Sequence, residues 1–336
     1  MRTKHLIIGA VMVSLAVVEF GIARGIDLNA SSAADAHSRS GAAAAPRASA
    51  PPPPAYDVAH LIKPSKKYFG VSLSGDPTDH GSVADYTEMA GKAPNVLTIF
   101  ESFDDEFAAS QARDAYRQGA IPMIRWEPFT PRLKDIAAGR YDEYITRFAT
   151  SIRTVNVPTA LTFAHEMNGG WYSWGATRNK ASDYVAAWRH LHGLFEKAGA
   201  TNVIWTWTPN VINPVPSVKL APLYPGDKYV DWIGIDGYFT HRGRNSYDGL
   251  FGPTKEQVRD FTGKPFLIVE TGAEPGSGRP GWIENLVEGV EDDDDMLGFV
   301  YFNQNGSAKW KIDKDAAAIS ALRDGGDSDA YGFTVR

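Results

Sequence analysis

The sequence predicts an α/β fold, a (β/α)8 barrel of the TIM type, on three observations. Eight short runs rich in β-branched and aromatic residues alternate with amphipathic helical stretches. Once a leader-like N-terminus and a low-complexity stretch are set aside, about 270 of the 336 residues remain, close to the ~250 typical of such a barrel. No G-x-G-x-x-G turn follows the first run, where Ser72-Leu73-Ser74-Gly75-Asp76-Pro77 stands, and no phosphate-loop pattern occurs, which disfavours a doubly wound nucleotide fold.

Taken in order, the predicted strands are 68–73, 96–100, 121–126, 159–164, 203–208, 232–236, 266–270 and 297–302. The clearest helical stretches between them are 105–118, 141–154 and 182–198, the last with Tyr184, Trp188, Leu191 and Phe195 at helical spacing. Pro122, Pro158 and Pro265 sit at strand starts, where a missing N–H is tolerated. Gly119, Gly199 and Gly263 precede strands and are expected to close helices.

The N-terminal segment belongs to no strand–helix unit. Arg2 and Lys4 precede an apolar stretch over 6–18, followed by Glu19 and the small residues Gly21-Ile22-Ala23. This pattern predicts an export signal over 1–23 and a secreted or cell-envelope protein. The alternative is an uncleaved membrane anchor, for which residues 6–23 are at the short end of the ~17–25 needed. Residues 24–58 are rich in Ala, Pro and Ser and end their proline run at Pro54, so they are expected to be a disordered linker. That leaves 59–336 as one barrel domain.

Composition excludes several functions. A net charge of −6 argues against a nucleic-acid partner. With no cysteine there is no disulfide, thiolate metal site or cysteine nucleophile, and no pattern calls for a cofactor or metal. A monomer is expected. The excess is aromatic, with nine Trp and fourteen Tyr, and their positions decide whether they are core or binding surface.

Active sites of such barrels lie at the C-terminal ends of the strands. Glu101 follows the second strand, Trp126-Glu127 the third, and His165-Glu166 the fourth. Asn210 follows the fifth, Asp236 and Tyr238 the sixth, Glu270 ends the seventh, and Tyr301 and Asn303 end the eighth. Carboxylates ringing a tryptophan-lined mouth suggest glycoside hydrolysis, which needs one carboxyl as acid and another as nucleophile or base. Retention requires the pair about 5–5.5 Å apart and inversion roughly 6.5–9.5 Å. Strands four and seven face each other across the mouth, which makes Glu166 and Glu270 the natural pair.

These residues also carry a resemblance. His165-Glu166-Met167-Asn168-Gly169-Gly170-Trp171-Tyr172-Ser173-Trp174 resembles the acid/base segment of glycoside hydrolase family 26. The stretches 202–210 and Asp236-Gly237-Tyr238 resemble its fifth and sixth strands, and 265–272 its nucleophile strand, so the likeness runs over about 66–325. It implies a retaining endo-β-glycanase acting on a polysaccharide, with Glu166 as acid/base and Glu270 as nucleophile. It further implies that His165 holds the sugar and interacts with the nucleophile, that Tyr238 donates to Glu270, and that Asp236 and Trp171 shape the cleavage subsite. Trp126, Glu127, Trp174 and Asn210 complete the expected substrate contacts. Glu166 must stay protonated while Glu270 stays charged, so their environments must push the two pKa values apart.

Other readings fit some of these residues. His165-Glu166 lacks the second histidine of a zinc-protease helix, so that chemistry fails on spacing. Glu101 and Glu127 could instead be structural partners of Arg125. Trp188 is expected in the core, while Trp205 fits either core packing or sugar stacking. The acidic run 291–295 lacks the spaced ligands and glycine of a calcium loop and is expected to be a solvated turn. Family frequency favours β-1,4-mannan as substrate. The third-strand segment Arg125-Trp126-Glu127-Pro128 instead resembles the mixed-linkage glucanase branch, and β-1,3-xylan is a further member substrate. A silent carbohydrate-binding envelope protein is the alternative of another class, and the intact Glu166 and Glu270 argue against it.

Overall fold

Eight parallel strands close on themselves in sequence order: β1 (Tyr68–Leu73), β2 (Val96–Ser102), β3 (Ile121–Glu127), β4 (Thr159–Phe163), β5 (Val203–Trp207), β6 (Trp232–Phe239), β7 (Phe266–Ala273) and β8 (Met296–Asn303). Closure is made by β1 against β8, in register from Tyr68↔Gly298 to Leu73↔Asn303. The computed structural model describes residues 53–243, 245–306 and 308–335. The predicted export segment and most of the predicted linker lie outside them. The TIM-type barrel expected from the alternation is the observed fold.

The helices are α1 (Ala59–Ile62), α2 (His80–Ala90), α3 (Ala109–Arg117), α4 (Leu133–Ala137), α5 (Asp142–Val155), α6 (Ala181–Ala198), α7 (Tyr247–Arg259), α8 (Arg279–Asp292) and α9 (Ala316–Gly326). Strand parity sorts the core into two layers. Val96, Ile121, Met123, Ala160, Ile204, Trp232, Leu267 and Val300 fill the barrel, while Leu97, Ile99, Ile124, Leu161 and Phe163 pack outward against the helices. Trp188 is in the outer layer, as expected, and Trp205 packs there too.

The barrel floor is sealed by the two ends of the described chain. Leu61 and Val335 join the inner cluster, Tyr68 Oη donates to Leu61 O at 2.6 Å, and Trp232 Nε1 donates to Ile62 O at 2.9 Å. Residues 53–58, assigned to the linker on composition, are fastened to the end of α5. Tyr56 N donates to Asn156 Oδ1 at 2.7 Å and Asn156 Nδ2 to Pro54 O at 3.0 Å.

Three local expectations are corrected. The helix foreseen over 105–118 starts at Ala109, because Phe103 and Phe107 turn into the core and the Glu101 carboxylate takes the Ala108 N–H at 3.0 Å. Gly119 and Gly199 adopt the left-handed conformation of a helix end, but Gly263 does not, since α7 ends at Arg259. The acidic run is largely exposed, as expected, but only Asp294 and Asp295 form a turn. Glu291 and Asp292 finish α8, and Asp293 accepts from Tyr247 Oη at 2.7 Å and from the Lys255 ammonium.

Candidate active site

The loop after β4 carries the most elaborate local structure. Ala164 and Glu166 both have φ of 51°, the left-handed region that costs a non-glycine residue of order 1–3 kcal/mol and persists where surroundings enforce it. Here the enforcement is visible. Glu166 N donates to Thr208 O at 2.7 Å, and Asn168 clamps the loop to the end of β5 by exchanging two hydrogen bonds with the Asn210 backbone at 2.8 and 2.9 Å. Gly169 is required because a Cβ there would lie 2.5 Å from the Trp171 indole. That close approach lets Trp171 Nε1 fold back and donate to Glu166 Oε2 at 2.5 Å, while Asn210 Nδ2 donates to Oε1 at 2.6 Å.

Glu270 reaches the same space through a bulge. Ile268 pairs with Ile235, but Glu270 pairs with Asp236, so β7 carries one extra residue. Val269 fills the barrel, and the next side chain, Glu270, still turns into the mouth. Tyr238 Oη donates to Glu270 Oε1, and the Arg125 Nη2 lies 3.6 Å from Oε2.

Arg125, at the inward-facing parity of β3, links the groups. It is fully buried and bonds Asp236 in bidentate fashion, at 3.1 and 2.5 Å. Its Nη2 also meets His165 Nδ1, and His165 Nε2 lies 3.1 Å from Glu127 Oε1. Burial and the Arg125 charge oppose protonation of His165, while hydrogen bonds to Asp236 and Glu127 outweigh them and draw its pKa up to about 9. The Arg125 contact nevertheless requires a lone pair on Nδ1, since a guanidinium only donates. The Arg125 contact thus favours the neutral tautomer whose Nε2–H donates to Glu127, against the upward pull of the two carboxylates.

Burial raises the pKa of both Glu166 and Glu270. Their neighbours then separate them. Arg125 is the strongest opposing influence on Glu270. Glu166 has direct contact only with neutral donors, Trp171 and Asn210. Burial nevertheless carries Glu270 up to about 7, so its ionisation rests on the Arg125 contact.

Several expected substrate contacts occupy other positions. Trp126 is fully buried, stacked on Phe148 at 4.1 Å and Phe103 at 4.5 Å, because β3 turns Arg125 and Glu127 inward and Trp126 outward. Trp174 is 2% exposed, stacked on Tyr172 at 4.3 Å with Nε1 donating to His165 O at 2.7 Å, so it braces the loop. Asp236 has no exposed surface and reaches the mouth through Arg125. His165 touches Arg125, Glu127 and Asp236, and its link to Glu270 runs through Arg125. Glu101 points outward to the Ala108 N–H, and burial pushes its pKa up to about 8. Tyr301 faces the helices, with Oη donating to Trp310 O at 3.3 Å. Sequence reasoning passed over Arg125 as a site residue, although a lone arginine in the apolar run 121–126 at inward parity is a legible signal. Trp310, against Tyr238 with ring centroids 4.4 Å apart, had none.

Residues 133–269 match the family described as Glycosyl hydrolase family 26. The chain is 29% identical over 264 residues to Endoglucanase H of Acetivibrio thermocellus, covering 74% of this chain and 29% of that protein. It is 29% identical over 130 residues to a mannan endo-1,4-beta-mannosidase of Bacillus subtilis strain 168, covering 36% of this chain and 32% of that one. The chain thus spans about a third or less of these two relatives' own lengths. In three dimensions it superposes on a family 26 beta-mannanase from Bacteroides ovatus with a TM-score of 0.62, at 19% identity, covering 82% of this chain and 92% of that one; this likeness is one of fold. The matched segment spans the loop that holds His165 and Glu166, and together with the shared barrel these likenesses support a member of glycosyl hydrolase family 26.

Proposed function

We propose that the protein is a retaining endo-β-glycanase acting on β-1,4-mannan. The observation that carries the reading is the asymmetric carboxyl pair. Glu270 sits between a guanidinium and a tyrosine hydroxyl, while Glu166 is held by neutral donors alone. In the first step the Glu166 proton passes to the glycosidic oxygen as the Glu270 carboxylate attacks the anomeric carbon, giving a glycosyl ester and releasing the aglycone. In the second, Glu166 takes a proton from water, which attacks the anomeric carbon and frees Glu270 with net retention. Tyr238 fixes one Glu270 oxygen, leaving the other to attack. The protein would act as an exported, single-chain enzyme on a polysaccharide outside the cytoplasm, a reading that rests on residues 1–23.

A second substrate, mixed-linkage β-glucan, is favoured by one observation: β3 places Arg125 in the mouth beside Asp236, within the segment that resembles the glucanase branch. The long match to an endoglucanase adds less, because 29% coverage does not tie that protein's activity to the matched part.

Reducing-sugar release from mannan, mixed-linkage glucan and β-1,3-xylan decides among these, and release from none would remove the enzymatic reading. Roles are checked separately. Glu270→Ala should lose turnover, and azide should partly restore it with formation of an inverted glycosyl azide. Near-wild-type activity in that variant would show that Glu270 is not the nucleophile.

A further inference from the structure

Among the described residues, two large apolar side chains stand open to solvent, Phe100 at 39% exposure and Phe129 at 42%. Scattered exposed hydrophobics need no explanation, but these are not scattered. Both rise from the C-terminal ends of neighbouring strands, β2 and β3, beside the carboxyl groups.

Phe100 has the inward parity of Val96 and Thr98 and pairs in register with Arg125, whose guanidinium carbon is 5.7 Å from the ring centroid. One side of the ring thus neighbours the cation that touches Glu270. Phe129 belongs to the opposite partner. Its N–H donates to Glu127 O at 3.0 Å, and its carbonyl accepts from Ser173 Oγ at 3.3 Å. Its ring meets Trp174 edge-on at 5.1 Å and Tyr172 at 6.4 Å, which ties it to the loop bearing Glu166 and Trp171.

A pyranose presents an apolar C–H face that lies on an aromatic ring, with its hydroxyls at the edge free for polar partners. We propose that Phe100 and Phe129 are sugar platforms on opposite sides of the cleaved bond, Phe100 on the glycone side and Phe129 on the aglycone side. The polarity follows from chemistry. The nucleophile attacks the glycone, and Phe100 neighbours the nucleophile's cation. The acid protonates the aglycone oxygen, and Phe129 is fastened to the acid's loop. The inference rests on the glycosidase reading and adds the direction in which the polysaccharide crosses the mouth.

Covering about 50 Å² of ring at ~25 cal/mol/Å² corresponds to roughly tenfold in kcat/KM per platform. The test compares an aryl β-glycoside, whose aglycone is not a sugar, with an oligosaccharide of the same glycone extended on the aglycone side. Phe129→Ala should lower kcat/KM about tenfold more for the oligosaccharide than for the aryl glycoside. Phe100→Ala should lower both by a similar factor, and Phe129→Tyr should retain the oligosaccharide value. Equal effects of Phe129→Ala on the two substrates, or no effect of Phe100→Ala, would overturn the assignment. Wild-type turnover of the two substrates tests the glycosidase reading by itself, so the two failures are distinguishable.

Discussion

Replacing Arg125 with methionine separates its charge from its volume and tests whether the guanidinium keeps the nucleophile ionised. The Nη2–Oε2 separation of 3.6 Å gives a Coulomb attraction of about 4–5 kcal/mol at an effective dielectric of ~20, a ceiling of about 3 pKa units. The net shift is smaller, because water and neighbouring groups relax around the uncharged side chain. Arg125 is the largest pull on Glu270, ahead of the push from Asp236. A rise of about one pKa unit in Glu270 is expected. Activity requires Glu270 ionised and Glu166 protonated, so the acidic limb of kcat/KM should move about one unit to higher pH. Arg125→Lys keeps the charge and should leave that limb near its wild-type position while losing the bidentate grip. The assay is kcat/KM against pH on an activated aryl glycoside, with circular dichroism to confirm folding, since breaking a buried ion pair costs about 3–5 kcal/mol. A folded Arg125→Met enzyme with an unmoved acidic limb would refute the reasoning.

Three further outcomes follow from named contacts. Trp171→Phe removes a donor that favours ionised Glu166, so the Glu166 pKa should rise and the basic limb of kcat/KM should move to higher pH. Trp126→Phe should cost about 1–3 kcal/mol in a urea titration, from lost packing and the 3.2 Å bond to Tyr144 Oη. Its kcat/KM on an oligosaccharide should change little, whereas a substrate contact would show there first. Glu101, with its pKa raised by burial to about 8, stays protonated when the unfolded chain has already ionised. Stability attributable to it therefore falls as pH rises from about 4.5 towards 8. Glu101→Gln should flatten the decline in Tm over that window, and an identical slope in both proteins would show that Glu101 does not titrate there.

The barrel was legible because buried parallel strands read as short, nearly continuous apolar runs between glycine and proline punctuation. All eight predicted strands formed. Their C-terminal bounds were set too early at β2, β6 and β7, where polar residues such as Ser102, Tyr238 and Thr271 still pair in the ladder. The site was legible where a compact motif carries it, around Glu166, and less so where geometry depends on strand parity. Adjacent residues on a regular strand cannot both face the mouth, so Trp126 and Glu127 could not share a role there. Glu101 faces outward for the same reason, since Phe100 faces in. The bulge in β7 lies beyond such reasoning. Nothing local in Val269-Glu270-Thr271 announces that two successive side chains will turn inward.

That bulge matters for the charge balance. It brings Glu270 to the guanidinium already committed to Asp236, so one cation serves two carboxylates. An ionised Glu166 would be a third carboxylate there, hydrogen-bonded by an indole and an amide, and in the proposed reaction it is the one that carries the proton. The balance changes during the proposed reaction. Once Glu270 is esterified, its negative charge is gone and the repulsion that it shares with Glu166 disappears. Glu166 then ionises more readily, at the stage when it must accept a proton from water. The same side chain can serve first as acid and then as base without moving, because the charge of its partner differs between the two steps.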